Sequence, residues 1–513
     1  MKRRNDDAQV SRAEHARREH LPPQQPGSFP LASPTTQAAR RTVALTPSWR
    51  ARAAAPLAAD AYAARVRKLN AQFSAWATAQ LAADPGTSIA DAARDYVNYA
   101  KRLEDRFLHR RTDVLSFGSG DCGQLAHSET LEDERDTVVA RPRVVLALRD
   151  KQIAQLSCGG LHNVACTADG RCYTWGCNDE GSLGRLGKEE ELYLPGVVAL
   201  DDPIVAVAAG GSQTFAVTKQ GAVYGWGCYK DKEGKQWFDP ASPAAPDCKR
   251  KQTSPLRIAG LDGVVAMSCG ACFNAAVTVA GDCLTWGFGE IGQLGRPVPP
   301  VKKNDAYDFA AIAADHLTPA KLEMGGACKA VGCGAFHLLA ATSTGLVACG
   351  LNNYGQVGDG TTTDAPAPVP VPALADAAIA QLGGGEHHSL ALLGDGSVYA
   401  WGRADYGQLG LGDKDELGKA GASVAEPRHV ASLNAVDAVA CGDHHCLALA
   451  SNKIYAWGYG DMNALGLGKE GSDRFAPEVV TVKLDGGAVA TAFTQVAGGG
   501  QHSMVVAAVE GRA

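Results

Sequence analysis

No run of apolar residues in the 513-residue sequence approaches the roughly 20 that a membrane-spanning helix needs. Five of residues 1–7 are charged, and polar residues instead of an apolar stretch follow them, so we expect no secretory signal peptide. The phosphate-binding loop, the zinc-binding HExxH helix and the nucleophile elbow of hydrolases are also missing. These absences argue against a membrane protein, a secreted protein and a hydrolase of a common type. They favour a cytosolic or nuclear protein without a cofactor.

Glycine, in contrast, is abundant, and the 59 glycines fall at fixed positions of a repeat. The clearest copy is Trp401-Gly-Arg-Ala-Asp-Tyr-Gly-Gln-Leu-Gly410. The first glycine of this motif recurs seven times at intervals of 51 to 63 residues, at Gly118, Gly176, Gly227, Gly287, Gly350, Gly402 and Gly458. Because a period near 50 residues is typical of propellers and repeat arrays, seven copies predict seven structural units.

Each unit contains the elements of a small antiparallel sheet. Leu390–Leu392 has the composition of a short strand, Gly394-Asp-Gly396 that of a tight turn, and Val398–Trp401 that of the returning strand. Short strands with regular turn signals favour an all-β protein, and radial repetition protects sheet edges. We therefore predict a seven-bladed β-propeller.

The two ends of the repeat region complement each other. Val114–Phe117 reads as a strand without a preceding hairpin partner, whereas residues 500–508 supply strands that no further anchor glycine follows. The N-terminal strand is therefore expected to complete the last blade and close the ring, which removes open sheet edges.

The 15 cysteines read as reduced thiols, because no secretory signal accompanies them. Four of them precede a glycine at matching repeat positions, where a small buried side chain fits: Cys158, Cys269, Cys333 and Cys441. The pair Cys269-Gly-Ala-Cys272 lacks a second pair of ligands and is poor evidence for zinc. We predict no metal site.

Two further segments precede the propeller, which we place at 112–513. Residues 1–56 are predicted to be a disordered basic arm, since residues 1–52 hold ten Lys and Arg against four Asp and Glu. That net charge of +6 leaves −12 for the remainder, given the total of −6. The arm is either a solvated tail or a binding segment for an anionic partner, nucleic acid first. Its Lys2-Arg3-Arg4 and Arg17-Arg18 clusters also match a split nuclear import signal.

Residues 57–111 are predicted to be a helical hairpin. Tyr62, Val66, Leu69, Phe73 and Trp76 share one helical face, and a second amphipathic helix follows Asp84-Pro85-Gly86. The hairpin either packs on the propeller or serves as a docking segment. Its sequence resembles a short segment of a nuclear-basket nucleoporin, which would imply contact with importin or nucleoporin machinery.

Histidines recur at one position of the repeat, in His162, His388 and His502, where other blades hold Gln213, Phe273 and Phe336. A repeated histidine in such a turn is more often a structural hydrogen-bonding group than a binding residue. The Gly118–Gly123 stretch fits the dinucleotide-binding GxGxxG motif, but no helix pattern follows it, so we reject it as a cofactor site.

The repeats resemble those of the regulator of chromosome condensation family, whose members are chromatin-bound guanine nucleotide exchange factors for the small GTPase Ran. The resemblance extends over about 400 residues, and Gly176–Arg185, Gly287–Arg296 and Gly402–Gly410 each match the blade at the same place in the order. The strongest match is Trp226-Gly-Cys-Tyr-Lys-Asp-Lys-Glu-Gly-Lys235, which resembles the family's wedge, a hairpin that presses into the nucleotide site of the GTPase.

The resemblance implies a nuclear, chromatin-associated and monomeric protein that promotes GDP release from Ran without covalent chemistry. The implied wedge consists of Lys230, Asp231, Lys232, Glu233, Gly234 and Lys235. Other implied GTPase-binding positions are Asp121, Arg296, Asn353, His388 and His502. The implied chromatin contacts are Lys2, Arg3, Arg4, Arg17 and Arg18 of the arm, with Lys302 and Lys303 of a long insertion at 297–320.

This sequence also departs from the family pattern. Gly211 and Cys272 stand where the family is expected to carry acids, and Lys302 and Lys303 replace arginines, whose planar fork suits acidic partners better. These departures keep a second hypothesis open, a propeller scaffold for another GTPase or for a ubiquitin or trafficking partner. A third hypothesis, an enzyme with its active site on a propeller face, requires converging acid–base pairs there.

Overall fold

The computed structural model of the protein describes residues 111–238, 251–303, 306–468, 471–486 and 488–510. The predicted arm at 1–56 and, except for Arg111, the predicted helical hairpin at 57–111 lie outside the described residues, and so do Lys2, Arg3, Arg4, Arg17 and Arg18. In the part of the chain that the structure describes, no helix has the length and apolarity needed to cross a membrane.

The described residues form seven four-stranded antiparallel sheets, which confirms the predicted seven-bladed β-propeller. We number the blades by their anchor glycines, so that blade 1 contains Gly118 and blade 7 contains Gly458. In each blade the first strand is innermost, because the first strands of neighbouring blades contact one another around the axis. The second, third and outer strands follow, each antiparallel to the one before.

The strands of blades 2 to 4 are short and regular. Blade 2 consists of Ile153–Cys158, His162–Thr167, Cys172–Gly176 and Gly196–Val198. Blade 3 consists of Ile204–Ala209, Gln213–Thr218, Val223–Gly227 and Gln252–Arg257. Blade 4 consists of Val264–Cys269, Phe273–Thr278, Cys283–Gly287 and Ala320–Leu322.

Blades 5 to 7 repeat the same plan. Blade 5 consists of Cys328–Cys333, His337–Thr342, Gly345–Gly350 and Ala365–Pro370. Blade 6 consists of Ile379–Gly384, His388–Leu393, Val398–Arg403 and Ser423–His429. Blade 7 consists of Val436–Cys441, His445–Ala450, Lys453–Gly458 and Arg474–Val480. The described helices are single turns or little more, at Glu134–Thr137, Leu146–Leu148, Glu189–Leu192, Phe309–Ala311, Ile312–Leu317, Pro372–Leu374, Lys414–Leu417 and Asp461–Asn463.

Blade 1 joins the two ends of the propeller, as predicted. Its first two strands are Val489–Gly498 and His502–Glu510, and its third and outer strands are Arg111–Ser119 and Val138–Val144. Val114 pairs with Val506, and Leu115 with Val505. The ring is thus closed by backbone hydrogen bonds between strands that lie at opposite ends of the repeat region.

The recurring tryptophan and glycines connect each blade to its neighbour. Trp401 is fully buried, and its indole N–H donates to the carbonyl of Gln356 in blade 5 at 2.8 Å. A Cβ on Gly358, near the end of the blade 5 motif, would lie 2.7 Å from Nε1 of the Trp401 indole, so only glycine fits there. The motif is repeated because each blade must accept the large residue of the next, a tryptophan in five blades, Phe117 in blade 1 and the smaller Cys349 in blade 5.

A belt of buried histidines also joins neighbouring blades. Nε2 of His162, His337, His445 and His502 lies 2.7–2.8 Å from a hydroxyl or amide oxygen of the following blade, in Thr214, Ser389, Ser503 and Asn163 respectively. His337 therefore occupies the repeat position in blade 5. The assignment of Phe336 to this position from the sequence was wrong by one residue. The belt supports the structural interpretation of the repeated histidine.

Candidate functional site

The face that carries the candidate site is set by strand order. The turn between the first and second strands and the loop between the third and outer strands leave the same end of each sheet. The two longest of these loops follow Gly227 in blade 3 and Gly287 in blade 4, so they emerge side by side. We call this side of the ring the hairpin face.

The segment predicted to be the wedge forms a hairpin on this face. Tyr229 pairs with Trp237 and Lys230 with Gln236. The carboxylate of Asp231 organises the turn, because one oxygen accepts the backbone N–H groups of Glu233 at 3.0 Å and Lys235 at 2.9 Å. The other oxygen accepts the indole N–H of Trp237 at 3.0 Å. Asp231 is therefore a buried structural residue at the root of the turn.

The base of the hairpin is inserted into the core between blades 3 and 4. Tyr229 is buried, stacks on Phe238 with ring centroids 5.3 Å apart, and accepts the indole N–H of Trp286 at 3.0 Å. Burial raises the pKa of its hydroxyl, so it stays protonated. The tyrosine thereby takes the place of the backbone carbonyl that receives the tryptophan in blades 2, 3, 6 and 7.

The exposed charges of the hairpin contact both neighbouring blades. Lys230 lies 2.8 Å from a carboxylate oxygen of Glu180 in blade 2, and this hydrogen bond raises the lysine pKa. Lys232 lies 3.3 Å from Glu290 in blade 4. The hairpin is held from two sides, although each exposed pair by itself contributes little to stability.

The blade 4 insertion packs against the other side of the hairpin. Lys302 forms an ion pair with Glu233 at 2.5 Å, and the hydroxyl of Tyr307 donates to the same carboxylate at 2.9 Å. The lysine first, then the tyrosine, lower the pKa of Glu233. Lys302, expected as a chromatin contact, is thus engaged within the protein; Lys303 occupies the neighbouring position of a two-residue strand.

The remaining predicted face residues separate into two groups. Asp121 and Asn353 are exposed on loops of the hairpin face, in blades 1 and 5. The half-buried guanidinium of Arg296 donates to the carbonyls of Asp315 at 2.8 Å and Thr285 at 3.2 Å, which fixes the insertion to its blade.

His388 and His502 do not lie on the surface. Their side chains are 1% and 0% exposed and bridge neighbouring blades, so the expectation that they form part of an exposed face is corrected. Packing between blades buries any side chain at that repeat position. Beside this belt, Cys272 occupies one of the positions where an acid was expected, and its sulfur accepts the backbone N–H of Lys230 at 3.4 Å.

A cluster that sequence reasoning missed lies on blades 5 to 7. The guanidinium of Arg403 is bound by Asp405 at 2.7 Å and lies 5.0 and 4.8 Å from the ring centroids of Tyr354 and Tyr406. Beside it, Glu386 contacts His444 at 3.1 Å. The signal for this cluster was the doubled histidine at 387–388 and 444–445, whose first member faces outward.

One group of potential metal ligands and one carboxylate–histidine pair occur among the described residues near this face. His388, Cys441 and Cys446 place ligand atoms within 4.8 Å of one another. However, Cys446 donates to the carbonyl of Gln408 at 3.4 Å and meets His388 at 3.1 Å, as serines do in other blades, so we assign it the same bridging role. His444 contacts the carboxylate of Glu386, and among the described residues no Ser, Thr or Cys is hydrogen-bonded to its ring.

The comparisons with known proteins agree with this architecture. The chain matches the RCC1-like domain over residues 113–505. It is 32% identical over 403 residues to the regulator of chromosome condensation of Xenopus laevis, covering 77% of this chain and 89% of the relative. It is also 31% identical to the ultraviolet-B receptor UVR8 of Arabidopsis thaliana, covering 73% of this chain and 79% of the receptor.

Two further similarities come from budding yeast. The guanine nucleotide exchange factor SRM1 of Saccharomyces cerevisiae is 28% identical, with 71% of this chain and 81% of the relative covered. The crystal structure of Prp20p, described together with its binding to Gsp1p and histones, superimposes with a TM-score of 0.68 at 25% identity, covering 80% of this chain and 95% of Prp20p. With seven blades of one repeat and a match over residues 113–505, this chain belongs to the RCC1-like domain family.

Proposed function

We propose that this protein is a guanine nucleotide exchange factor for the small GTPase Ran and that the hairpin Lys230–Lys235 is its wedge. The observation that carries the proposal is the hairpin itself, which is anchored in the core by Tyr229 and held by blades 2 and 4. Exchange-factor names among the relatives support the same activity.

The mechanism requires differential binding and no covalent step. A surface that binds the nucleotide-free GTPase more tightly than the GDP-bound form must, by linkage, weaken GDP binding by the same factor. Each tenfold of weakening corresponds to about 1.4 kcal/mol of coupling free energy. A hairpin that is already ordered loses little conformational entropy on binding, so more of its contact energy is available for expelling the nucleotide.

Chromatin binding is proposed for the arm. Lys2, Arg3, Arg4, Arg17 and Arg18 would contact DNA phosphates of a nucleosome through charge, without reading sequence. The same clusters would serve nuclear import through importin. Lys302 is less suited to that role, because its ammonium is already paired with Glu233. We accordingly propose a nuclear protein whose arm binds chromatin and whose hairpin face binds the GTPase.

The test is release of fluorescent GDP from Ran. Native protein is expected to accelerate release, and a variant with Lys230–Lys235 replaced by a short Gly-Ser turn is expected to lose the acceleration. The control variant changes Lys219 and Gln220, exposed residues in a turn of the same blade on the opposite face, to Gly and Ser. Folded native protein that leaves GDP release unchanged would refute exchange activity toward Ran.

The second candidate function is a propeller scaffold for another GTPase or for a ubiquitin or trafficking partner. Gly211 and Cys272 favour it, because they remove the acids expected on two turns of the hairpin face. Affinity capture with native protein as bait distinguishes the two: recovery of another GTPase, together with no effect on Ran, would support the scaffold.

A further inference from the structure

The hairpin is too short to hold its own position. Its ladder has only two residue pairs, Tyr229 with Trp237 and Lys230 with Gln236. Isolated two-stranded hairpins are marginally stable in water even when they are longer. Its order must therefore come from the surfaces packed against it, and one of these is the blade 4 insertion.

The insertion is itself anchored in the core. Ile312 and Leu317 are buried in the cluster that also contains Trp237. Its short helix begins after Asp308, whose side chain accepts the N–H of Ala311 at 3.1 Å. These contacts fix the position of Phe309, whose ring centroid lies 5.6 Å from that of Trp237.

Three aromatic rings surround the ammonium group of Lys235. Its nitrogen lies 3.7 Å from the ring centroid of Tyr307, 4.4 Å from that of Trp237 and 4.9 Å from that of Phe309. Two of the three rings belong to the insertion. Cation–π attraction therefore ties the last residue of the proposed wedge to blade 4.

Tyr307 contacts two hairpin residues at once. Its ring covers Lys235, and its hydroxyl donates to Glu233 at 2.9 Å. Lys302 reaches the same carboxylate at 2.5 Å and lies 5.0 Å from the Tyr307 ring centroid. The turn of the hairpin is thus fixed by both members of one short strand pair of the insertion.

We propose that the blade 4 insertion is a brace that sets the position of the hairpin, with Tyr307 and Lys302 as positioning residues. The inference deepens the proposed exchange function and rests on it. An unbraced hairpin would still be attached to an intact face, so GTPase affinity would be kept while the wedge would enter the nucleotide site less often. The brace therefore acts on the rate of GDP release at saturation, kcat, and not on KM.

The test combines hydrogen exchange with kinetics on the full chain. In Tyr307→Ala, backbone amides of residues 230–235 are expected to exchange about tenfold faster than in native protein, with the other blades unchanged, since one cation–π contact and one charged hydrogen bond are lost. kcat for GDP release is expected to fall about tenfold at constant KM. Tyr307→Phe keeps the ring over Lys235 and should restore most of the protection.

Two controls keep the inference falsifiable. Tyr224→Ala removes a tyrosine of blade 3 that lies away from the hairpin; its hydroxyl donates to Asp202 at 3.0 Å. This variant should leave the amides of residues 230–235 as protected as in native protein. Lys302→Met removes the ion pair but retains a long apolar side chain, and it should also accelerate exchange in the hairpin. Native protection of the hairpin in both Tyr307→Ala and Lys302→Met would overturn the brace. If native protein does not accelerate GDP release from Ran, the proposed function is refuted instead. The hydrogen-exchange measurements would still test whether the insertion orders the hairpin.

Discussion

Replacing one histidine of the belt with glutamine should flatten the pH dependence of stability. His445 in blade 7 meets Ser503 of blade 1 at 2.7 Å and is 2% exposed. Burial lowers its pKa from 6.5 to about 4. The folded protein therefore keeps this imidazole neutral between those values, whereas the unfolded chain takes up a proton there.

The sign and size follow from linkage. Because the unfolded state binds more protons below pH 6.5, the free energy of unfolding must fall as the pH is lowered from 6.5 toward 4. A single histidine of this kind lowers the free energy of unfolding by about 2 kcal/mol between pH 7.5 and pH 5, because each pH unit below the pKa of the unfolded chain contributes about 1.36 kcal/mol. His162, His337 and His502 act in the same direction, since burial lowers their pKa values to about 4, 3 and 3.

Glutamine is the informative replacement because blade 3 already uses it. Gln213 at this position donates to the carbonyl of Gly270 in blade 4 at 2.9 Å, so the amide can bridge blades without titrating. The free energy of unfolding is to be measured with urea at pH 7.5, 6 and 5 for native protein and for His445→Gln. Its decrease from pH 7.5 to pH 5 should be about 2 kcal/mol smaller in the variant. His429→Gln, at an exposed position of blade 6, controls for removal of a histidine as such. Equal losses in native protein and His445→Gln would refute the reasoning.

Two further changes test the packing of the ring. Phe117→Ala should lower the free energy of unfolding by about 3–5 kcal/mol, because this fully buried ring fills blade 1 at the position of the repeated tryptophan; Val489→Ala, at an exposed position of the same blade, should have little effect. Gly402→Ala should destabilise by at least about 1–3 kcal/mol, since φ is +102° and the new Cβ would lie 2.4 Å from the carbonyl oxygen of His387. Gly412→Ala, at φ +84° with no atom within 4 Å, isolates the backbone contribution, and equal thermal midpoints for the two glycine variants would contradict the steric argument.

The sequence was sufficient for the architecture because each blade repeats the same physical requirements. The glycine after the tryptophan needs a positive φ, and the last glycine of the motif makes room for the next tryptophan; both recur visibly in the chain. The unpaired strand at Val114–Phe117 likewise predicted closure of blade 1, which its pairing with residues 503–506 confirms.

The details of the site could not be predicted in the same way. One pattern, a histidine after a glycine turn, describes both a buried bridge and a surface residue, and only the three-dimensional register separates His388 from His387. The brace depends on contacts between loops far apart in sequence, such as Lys302 with Glu233, for which no repeat exists. The sequence indicated the positions of the blade 3 hairpin and the blade 4 insertion, but it could not indicate that the two contact each other.

The closure of blade 1 has a consequence for how the protein is made. The strand Arg111–Ser119 emerges from the ribosome among the first parts of the propeller, and its partner His502–Glu510 is nearly the last. Phe117 and Leu115 must therefore wait, without their final partners, while six other blades are synthesised, and such long-range pairing is slow to form. A circular permutant that joins the present ends and opens between two other blades would let blade 1 fold as a local unit and should refold faster.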